Sequence, residues 1–152
     1  MFRGTSAITL DSKNRITIPT RYREELFADC QGKMVCTVDI QHPCLLLYPL
    51  PEWEEIELKL CGLSSMNPQE RLLQQVLLGN ASDCEIDKSG RLLINGPLRT
   101  HAGLEKNIML VGQLKKFEIW SEQAWQGQMQ QGIAKIQSGE IELTERLLDL
   151  SL

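Results

Sequence analysis

Little in this sequence points to chemistry done in a single pocket. There are only two histidines, His42 and His101, and there is no Gly-rich phosphate loop. No Ser-His-Asp or Cys-His arrangement has a spacing that would join a nucleophile to its base. Asp83, Glu85 and Asp87 alternate along an expected strand, but His101 is the sole candidate partner in the second half of the chain. A solvated sheet edge accounts for these acids better than a catalytic set does. No enzyme activity, catalytic residue, cofactor or small-molecule substrate is therefore expected.

Cysteine usage excludes two further classes. Cys30, Cys36, Cys44, Cys61 and Cys84 are odd in number, and no two form a C-x-x-C pair. A disulfide scaffold or a zinc site would show even numbers or close pairs. Cys44 lies near His42, but Pro43 separates them, so no metal site is assigned. The expected state is small, buried, reduced thiols. No apolar run approaches the ~20 residues of a membrane span. The longest, Cys44 to Leu50, is broken by Pro49. The start, Met1-Phe2-Arg3-Gly4, lacks the apolar core of a signal peptide, which predicts a cytoplasmic protein without a membrane partner.

What is present is an ordinary globular composition, 42% hydrophobic and 24% charged, with an uneven charge distribution. Residues 1–23 hold Arg3, Lys13, Arg15, Arg21 and Arg23 against Asp11 alone, a local charge of +4. The whole chain carries −4, so the rest carries −8. A basic end on an acidic body is the pattern of a local nucleic-acid footprint.

The chain also repeats itself. Leu10-Asp-Ser-Lys-Asn-Arg-Ile-Thr-Ile18 matches Ile86-Asp-Lys-Ser-Gly-Arg-Leu-Leu-Ile94 at an offset of 76 residues. That offset aligns Ser6 with Ser82, Asp11 with Asp87, Arg15 with Arg91 and Arg23 with Arg99. Further on, Leu45–Tyr48 aligns with Phe117–Trp120, and Trp53 with Trp125, at an offset of 72. Each copy predicts two short strands with one buried face, joined by a tight turn at Asp11–Asn14 or Asp87–Gly90. Asn14 and Gly90 are equivalent, and both residue types tolerate positive φ. A short helix should follow each strand pair, over about 20–27 and 97–102. A second strand pair follows, 34–39 with 44–48 and 107–111 with 117–120.

Helices then close each copy. Trp53, Ile56, Leu60 and Leu63 share one helical face, as do Trp125, Met129, Ile133 and Ile136. Asn67-Pro68 opens a helix with Leu72, Leu73, Val76 and Leu77 as its apolar stripe. Residues 140–150 read as a last, acidic amphipathic helix. Modules of ~50 residues bury little core alone, which favours packing of the halves and assembly with further copies.

Two readings of the first turn stand side by side. Lys13 and Arg15 suit phosphates and base edges, with Arg21 and Arg23 extending the patch to the backbone of DNA. Alternatively, Asp11 and Arg15 form a local ion pair that shapes the turn, a pairing also open to Asp87 and Arg91. In the second copy, Lys88 and Arg91 are surrounded by Asp83, Glu85 and Asp87, so a smaller share of any binding is expected there.

The stretches Asp11-Ser-Lys-Asn-Arg15-Ile-Thr-Ile-Pro19-Thr-Arg-Tyr-Arg23 and Asp87-Lys-Ser-Gly-Arg91-Leu-Leu-Ile94 resemble the paired D-x-x-x-R motifs of the MraZ family. His42–Pro49 and Leu98–Leu104 are similar to further family segments, and the resemblance covers essentially the whole chain. It implies an α+β fold of two tandem AbrB/SpoVT-like swapped-hairpin β modules, of the double-split β-barrel type, with flanking helices. On this basis the domains are 5–52 and 81–124, with connecting helices over 53–80 and C-terminal helices over 125–152. The resemblance further implies a homo-oligomeric ring, a nucleoid-associated location, and repression at the promoter of the division and cell-wall gene cluster. The expected partner is double-stranded DNA carrying short promoter repeats. The DNA-binding set is then Arg3, Lys13, Arg15, Arg21, Arg23, Lys88 and Arg91, with Asp11, Asn14, Asp87 and Gly90 as structural turn residues. A protein-interaction or antitoxin-like role is the alternative. The sequence departs from the family in two places. Asn14 replaces the usual Gly, and Ile94-Asn95-Gly96-Pro97 replaces the Ile-Pro step, which predicts a different helix start in the second copy.

Overall fold

Alternating residues near the N-terminus build the first strand, β1 (Thr5–Thr9), with Ser6 and Ile8 turned inward. Residues 1–152 are all described by the computed structural model. They fall into two units, Met1–Glu122 and Gln123–Leu152. In the first unit β1 is followed by β2 (Arg15–Thr17), α1 (Thr20–Cys30), β3 (Lys33–Val38), β4 (Leu45–Pro49), α2 (Leu50–Cys61) and α3 (Pro68–Gly79). Then come β5 (Ser82–Glu85), β6 (Arg91–Leu93), α4 (Gly96–His101), β7 (Asn107–Gln113) and β8 (Lys116–Ser121). The unit is mixed α+β, and every strand pairing is antiparallel.

The strands that adjoin in sequence around each turn do not pair with each other. One sheet has the order β1-β7-β8-β4-β3-β5, and a separate ribbon joins β2 to β6. Thus β1 of the first copy lies on β7 of the second, with Ser6 opposite Leu110. In the mirror arrangement β5 lies on β3, with Ser82 opposite Cys36. Equivalent residues meet each other at two places, Ile16 opposite Leu92 and Leu46 opposite Glu118. The two copies are therefore related by a local two-fold axis through the ribbon and the β4–β8 pair. Period-2 alternation identifies which face of a strand is buried, not which strand it will join.

One core lies beneath the ribbon. Ile16, Ile18, Leu92, Ile94 and Leu98 pack there with Leu45, Leu47, Ile108, Leu110, Phe117 and Ile119. Phe2 stacks on Phe117 at 4.3 Å between ring centroids, and Tyr22 meets Phe117 edge-on at 5.0 Å. On the other face of the sheet, Val35, Leu46 and Tyr48 pack with Trp53 of α2. That second layer makes β3 and β4 read as continuous apolar runs. Buried Thr37 donates its hydroxyl to the Leu77 carbonyl of α3 at 2.8 Å. Asn67 caps α3 by accepting from the amides of Gln69 and Glu70, as its position before Pro68 predicts.

Several boundaries differ from the sequence expectations. Helix α1 runs to Cys30, because nothing interrupts it before Gln31 adopts a left-handed conformation at φ 57°. Leu63 falls outside α2, which ends at Cys61. Thr20 and Gly96 are equivalent, so the two short helices start at the same position after all; the difference lies in the caps and lengths. Pro19 precedes α1 without a side-chain cap, whereas Asn95 accepts from the Leu98 amide at 2.9 Å. Three cysteines (Cys30, Cys36 and Cys44) are buried and Cys84 is half-buried, but Cys61 is exposed at the end of α2. Burial raises the thiol pKa of Cys36 and Cys44 and pushes that of Cys84 up to about 12, which keeps all three protonated.

The second unit holds α6 (Glu145–Leu148) and all but the first residue of α5 (Glu122–Gln137). The expected long acidic helix over residues 140–150 is reduced to four residues. Gly139 takes a positive φ of 76°, and Thr144 is extended so that its hydroxyl caps α6. No helix of the chain is long and apolar enough to cross a membrane.

Candidate nucleic-acid interface

The two D-x-x-x-R motifs make the same backbone turn. Asp11 Oδ1 accepts from the amides of Lys13 and Arg15 at 2.8 and 2.9 Å. Asp87 Oδ1 accepts from Ser89 and Arg91 at the same two distances. Each turn closes with the fourth residue donating to the aspartate carbonyl, Asn14 at 3.0 Å and Gly90 at 2.9 Å. Asn14 (φ 64°) and Gly90 (φ 79°) supply the left-handed residue, as their equivalence predicts. The amide of Arg15 bonded to Asp11 is the chief cause that holds its carboxyl below the usual carboxylate range. The Arg91 amide does the same for Asp87, and the charges of Arg91 and Arg15 add to the effect. Both aspartates therefore stay ionised, with their charge directed at turn amides and the neighbouring arginines.

The arginines that follow sit on the outer face of the β2–β6 ribbon. Ile16 and Leu92 point into the core at 0% exposure, so Arg15, Thr17, Arg91 and Leu93 point away from it. Arg15 lies opposite Leu93, and Thr17 opposite Arg91. Arg15 Nε donates to Asp11 Oδ2 at 3.0 Å, which leaves the far end of the guanidinium for an outside acceptor. The ion pair and the outward arginine are thus one arrangement, and both readings of the motif have a place in it. Arg91 is held more loosely: its Nε lies 3.5 Å from Asp87 Oδ2 and has no hydrogen-bond partner.

The turns flank opposite ends of this ribbon. Ile94 donates to the Asn14 carbonyl at 3.1 Å, and Ile18 to the Gly90 carbonyl at 2.8 Å. Four residue steps separate Asn14 from Ile18, a span of about 13 Å. The exposed Lys13 and Lys88 extend the basic face at its two ends. A two-stranded β-ribbon is one of the elements that the ~12 Å major groove of B-form DNA admits.

The remaining candidates are placed differently. Arg23 is turned inward, with Nε donating to the Ile18 carbonyl at 2.7 Å and the guanidinium packed over Gly90. Its equivalent, Arg99, does the same to Ile94 at 3.1 Å. Arg21 donates to Ser6 Oγ at 2.8 Å and stacks on Tyr22. Ser6 is five residues from Asp11, up to roughly 17 Å along a strand. Exposed Arg3 lies on that same side, where its carbonyl accepts from the Tyr22 hydroxyl. Lys13, Arg15, Lys88 and Arg91 thus form one face, while Arg3 and Arg21 form a separate group. Thr17 and Leu93, which complete the ribbon face, were absent from the expected set. The 76-residue offset could have found them, because it aligns them with each other beside the two arginines.

Comparison with known proteins shows the family. The family model described as "MraZ protein, putative antitoxin-like" matches the chain twice, at residues 1–76 and 77–149. The chain belongs to the MraZ family. A Colwellia psychrerythraea protein named transcriptional regulator MraZ is 91% identical over 152 residues, covering all of both chains. Proteins of the same name from Pseudoalteromonas atlantica and Idiomarina loihiensis are 66% and 62% identical, again end to end. The name these relatives share is that of a regulator of transcription, not of a class of enzyme.

Proposed function

We propose that the chain is a sequence-specific DNA-binding transcriptional regulator that represses the promoter of the division and cell-wall gene cluster. The observation that carries this reading is the ribbon. It presents Arg15 and Arg91 outward, flanks them with Lys13 and Lys88, and backs each arginine with an aspartate that is itself satisfied by turn amides. Arginine suits bidentate contacts to guanine O6 and N7, and the turn lysines suit phosphates. Arg21 and Arg3 extend contact to the DNA backbone beyond the ribbon, and Arg23 acts by holding the strand end in place.

One ribbon offers few charges. Several copies in a closed ring would engage several short promoter boxes, raising avidity by roughly 10²–10⁴. Each copy contributes two swapped-hairpin modules, over residues 5–52 and 81–124. Log K should fall by about 0.9 per tenfold rise in salt for each phosphate neutralised. The direct test is an electrophoretic shift with the protein's own upstream DNA. Arg15→Ala is expected to abolish specific binding and leave oligomer size unchanged. Equal binding by both proteins would sink the assignment, and loss of the oligomer would make Arg15 a structural residue.

The antitoxin-like wording of the family model supports a second reading, a protein-interaction module. The exposed Leu143, Leu147, Leu148 and Leu150 of the C-terminal unit would then take a protein partner. A stoichiometric second protein that co-purifies with the wild type but not with a Leu147→Ser, Leu148→Ser variant would favour it.

A further inference from the structure

The ribbon is symmetric in its backbone and asymmetric in its outer side chains. Ile16 and Leu92 mark the local two-fold axis, and Arg15 and Arg91 are equivalent about it. The other outward pair, Thr17 and Leu93, is also equivalent but chemically unlike. Leu93 is 57% exposed, next to a residue of the same type, Leu92, that is fully buried. Core packing therefore does not account for a leucine at position 93. The hydrogen bonds from Ile94 to Asn14 and from Ile18 to Gly90 put Arg15–Leu93 and Thr17–Arg91 in the non-hydrogen-bonded register. Side chains approach most closely in such pairs. Leu93 thus stands against the stem of Arg15, while Thr17 stands beside Arg91. The turn lysines break the symmetry in the same sense. The first turn reads Ser12-Lys13 and the second Lys88-Ser89, which shifts the ammonium group by one position.

We infer that Leu93 is a specificity-determining residue that gives each ribbon a direction on DNA. On its side of the axis it packs against the 5-methyl group of a thymine, adjacent to the base held by Arg15. At the corresponding place on the other side, the Thr17 hydroxyl makes a polar contact beside Arg91. Apolar side chains read thymine through that methyl, whereas a threonine hydroxyl bonds to a range of base edges. A box read in this way is not a palindrome, although the backbone that reads it is nearly two-fold symmetric. This inference rests on the DNA-binding reading above.

The test uses the full-length protein and a duplex from its own upstream DNA, with each thymine in turn replaced by deoxyuridine. Loss of one buried methyl should weaken wild-type binding about fourfold at a single position. Leu93→Ala should bind the two duplexes equally, and Thr17→Ala should keep the wild-type discrimination. Selection from random duplexes should yield a box closer to two-fold symmetry with Leu93→Thr than with the wild type. Wild-type binding that is indifferent to every thymine methyl overturns the inference and leaves DNA binding by Arg15 standing. A Leu93→Ala variant that changes oligomer size but not thymine discrimination also overturns it, assigning the leucine to contact between copies. If the wild type fails to shift its upstream DNA at all, the DNA-binding reading falls and takes this one with it.

Discussion

The turn at Asp11–Asn14 and the turn at Asp87–Gly90 share almost no side chains between the aspartate and the arginine. Even so, their matched hydrogen bonds agree within 0.1 Å. An ionised aspartate that accepts two amides and a residue able to adopt positive φ are enough to specify the loop. Ser12, Lys13, Lys88 and Ser89 were thereby free to diverge. On the ribbon the divergence shows at the outward arginines. Arg15 is locked to its aspartate at 3.0 Å, whereas Arg91 stands off at 3.5 Å. Duplication has kept the frame and varied the reading surface.

The sharpest way to break this comparison is to remove the arginines one at a time. Arg15→Ala should cost specific binding at least the roughly 5–150-fold that one bidentate base contact is worth. Arg91→Ala should cost less, because its guanidinium is not prealigned. Equal losses in quantitative binding assays would show that prealignment by Asp11 has no consequence. Neither change should lower stability by more than about 1 kcal/mol, since both ion pairs are partly exposed.

The turn frame itself should be less forgiving at Gly90 than at Asn14. A Cβ at Gly90 would lie 2.2 Å from Arg23 Nε, and φ there is +79°. Gly90→Ala should therefore destabilise by roughly 2–3 kcal/mol in urea denaturation, through clash and backbone strain together. Asn14→Gly should change stability by less than about 1 kcal/mol, because glycine takes the same conformation freely. A tolerated alanine at Gly90 would mean that Arg23 readily gives up its bond to Ile18.

Acid should expose the shared element. The Asp11 and Asp87 carboxyls titrate lower in the folded chain than in the unfolded one, chiefly through bonds from the Arg15 and Arg91 amides. Their contribution is complete above the unfolded value of about 3.9 and is lost as pH falls through the depressed folded value. The double variant Asp11→Asn, Asp87→Asn should show a flatter fall in urea midpoint below about pH 4 than the wild type. An unchanged slope would assign acid sensitivity to other carboxylates. The smallest effect concerns charge alone: Lys13→Gln should reduce the salt slope of DNA binding by about one phosphate equivalent. It should leave sequence preference untouched.

Much of the site was legible before the fold was known. The 76-residue offset located both motifs and the equivalence of Asn14 and Gly90. Counting cations did not set Arg23 apart, whose charge belongs to the basic stretch but whose Nε donates to a strand carbonyl. Charge gave the second copy a smaller share of any binding, and it carried no sign that the ribbon brings Arg91 to the face that holds Arg15. Neither outcome can be read from local pattern, because each depends on which strand pairs with which. The C-terminal helix failed for a local reason. Its apolar spacing is helical, but Thr144 is extended inside the stretch and caps a helix that starts only at Glu145.

The placing of β1 against β7 also bears on synthesis. Thr9 pairs with Asn107, so the first strand of the chain waits for nearly a hundred further residues before its partner exists. At ~5–20 residues per second, that is an interval of roughly 5–20 s. During it β3 and β4 can pair, whereas β2 gains its partner only once β6 is made and β1 only once β7 is made. The nascent N-terminal half thus carries its most basic segment unpaired until the second half has been made, and the reading head cannot form before β6 exists.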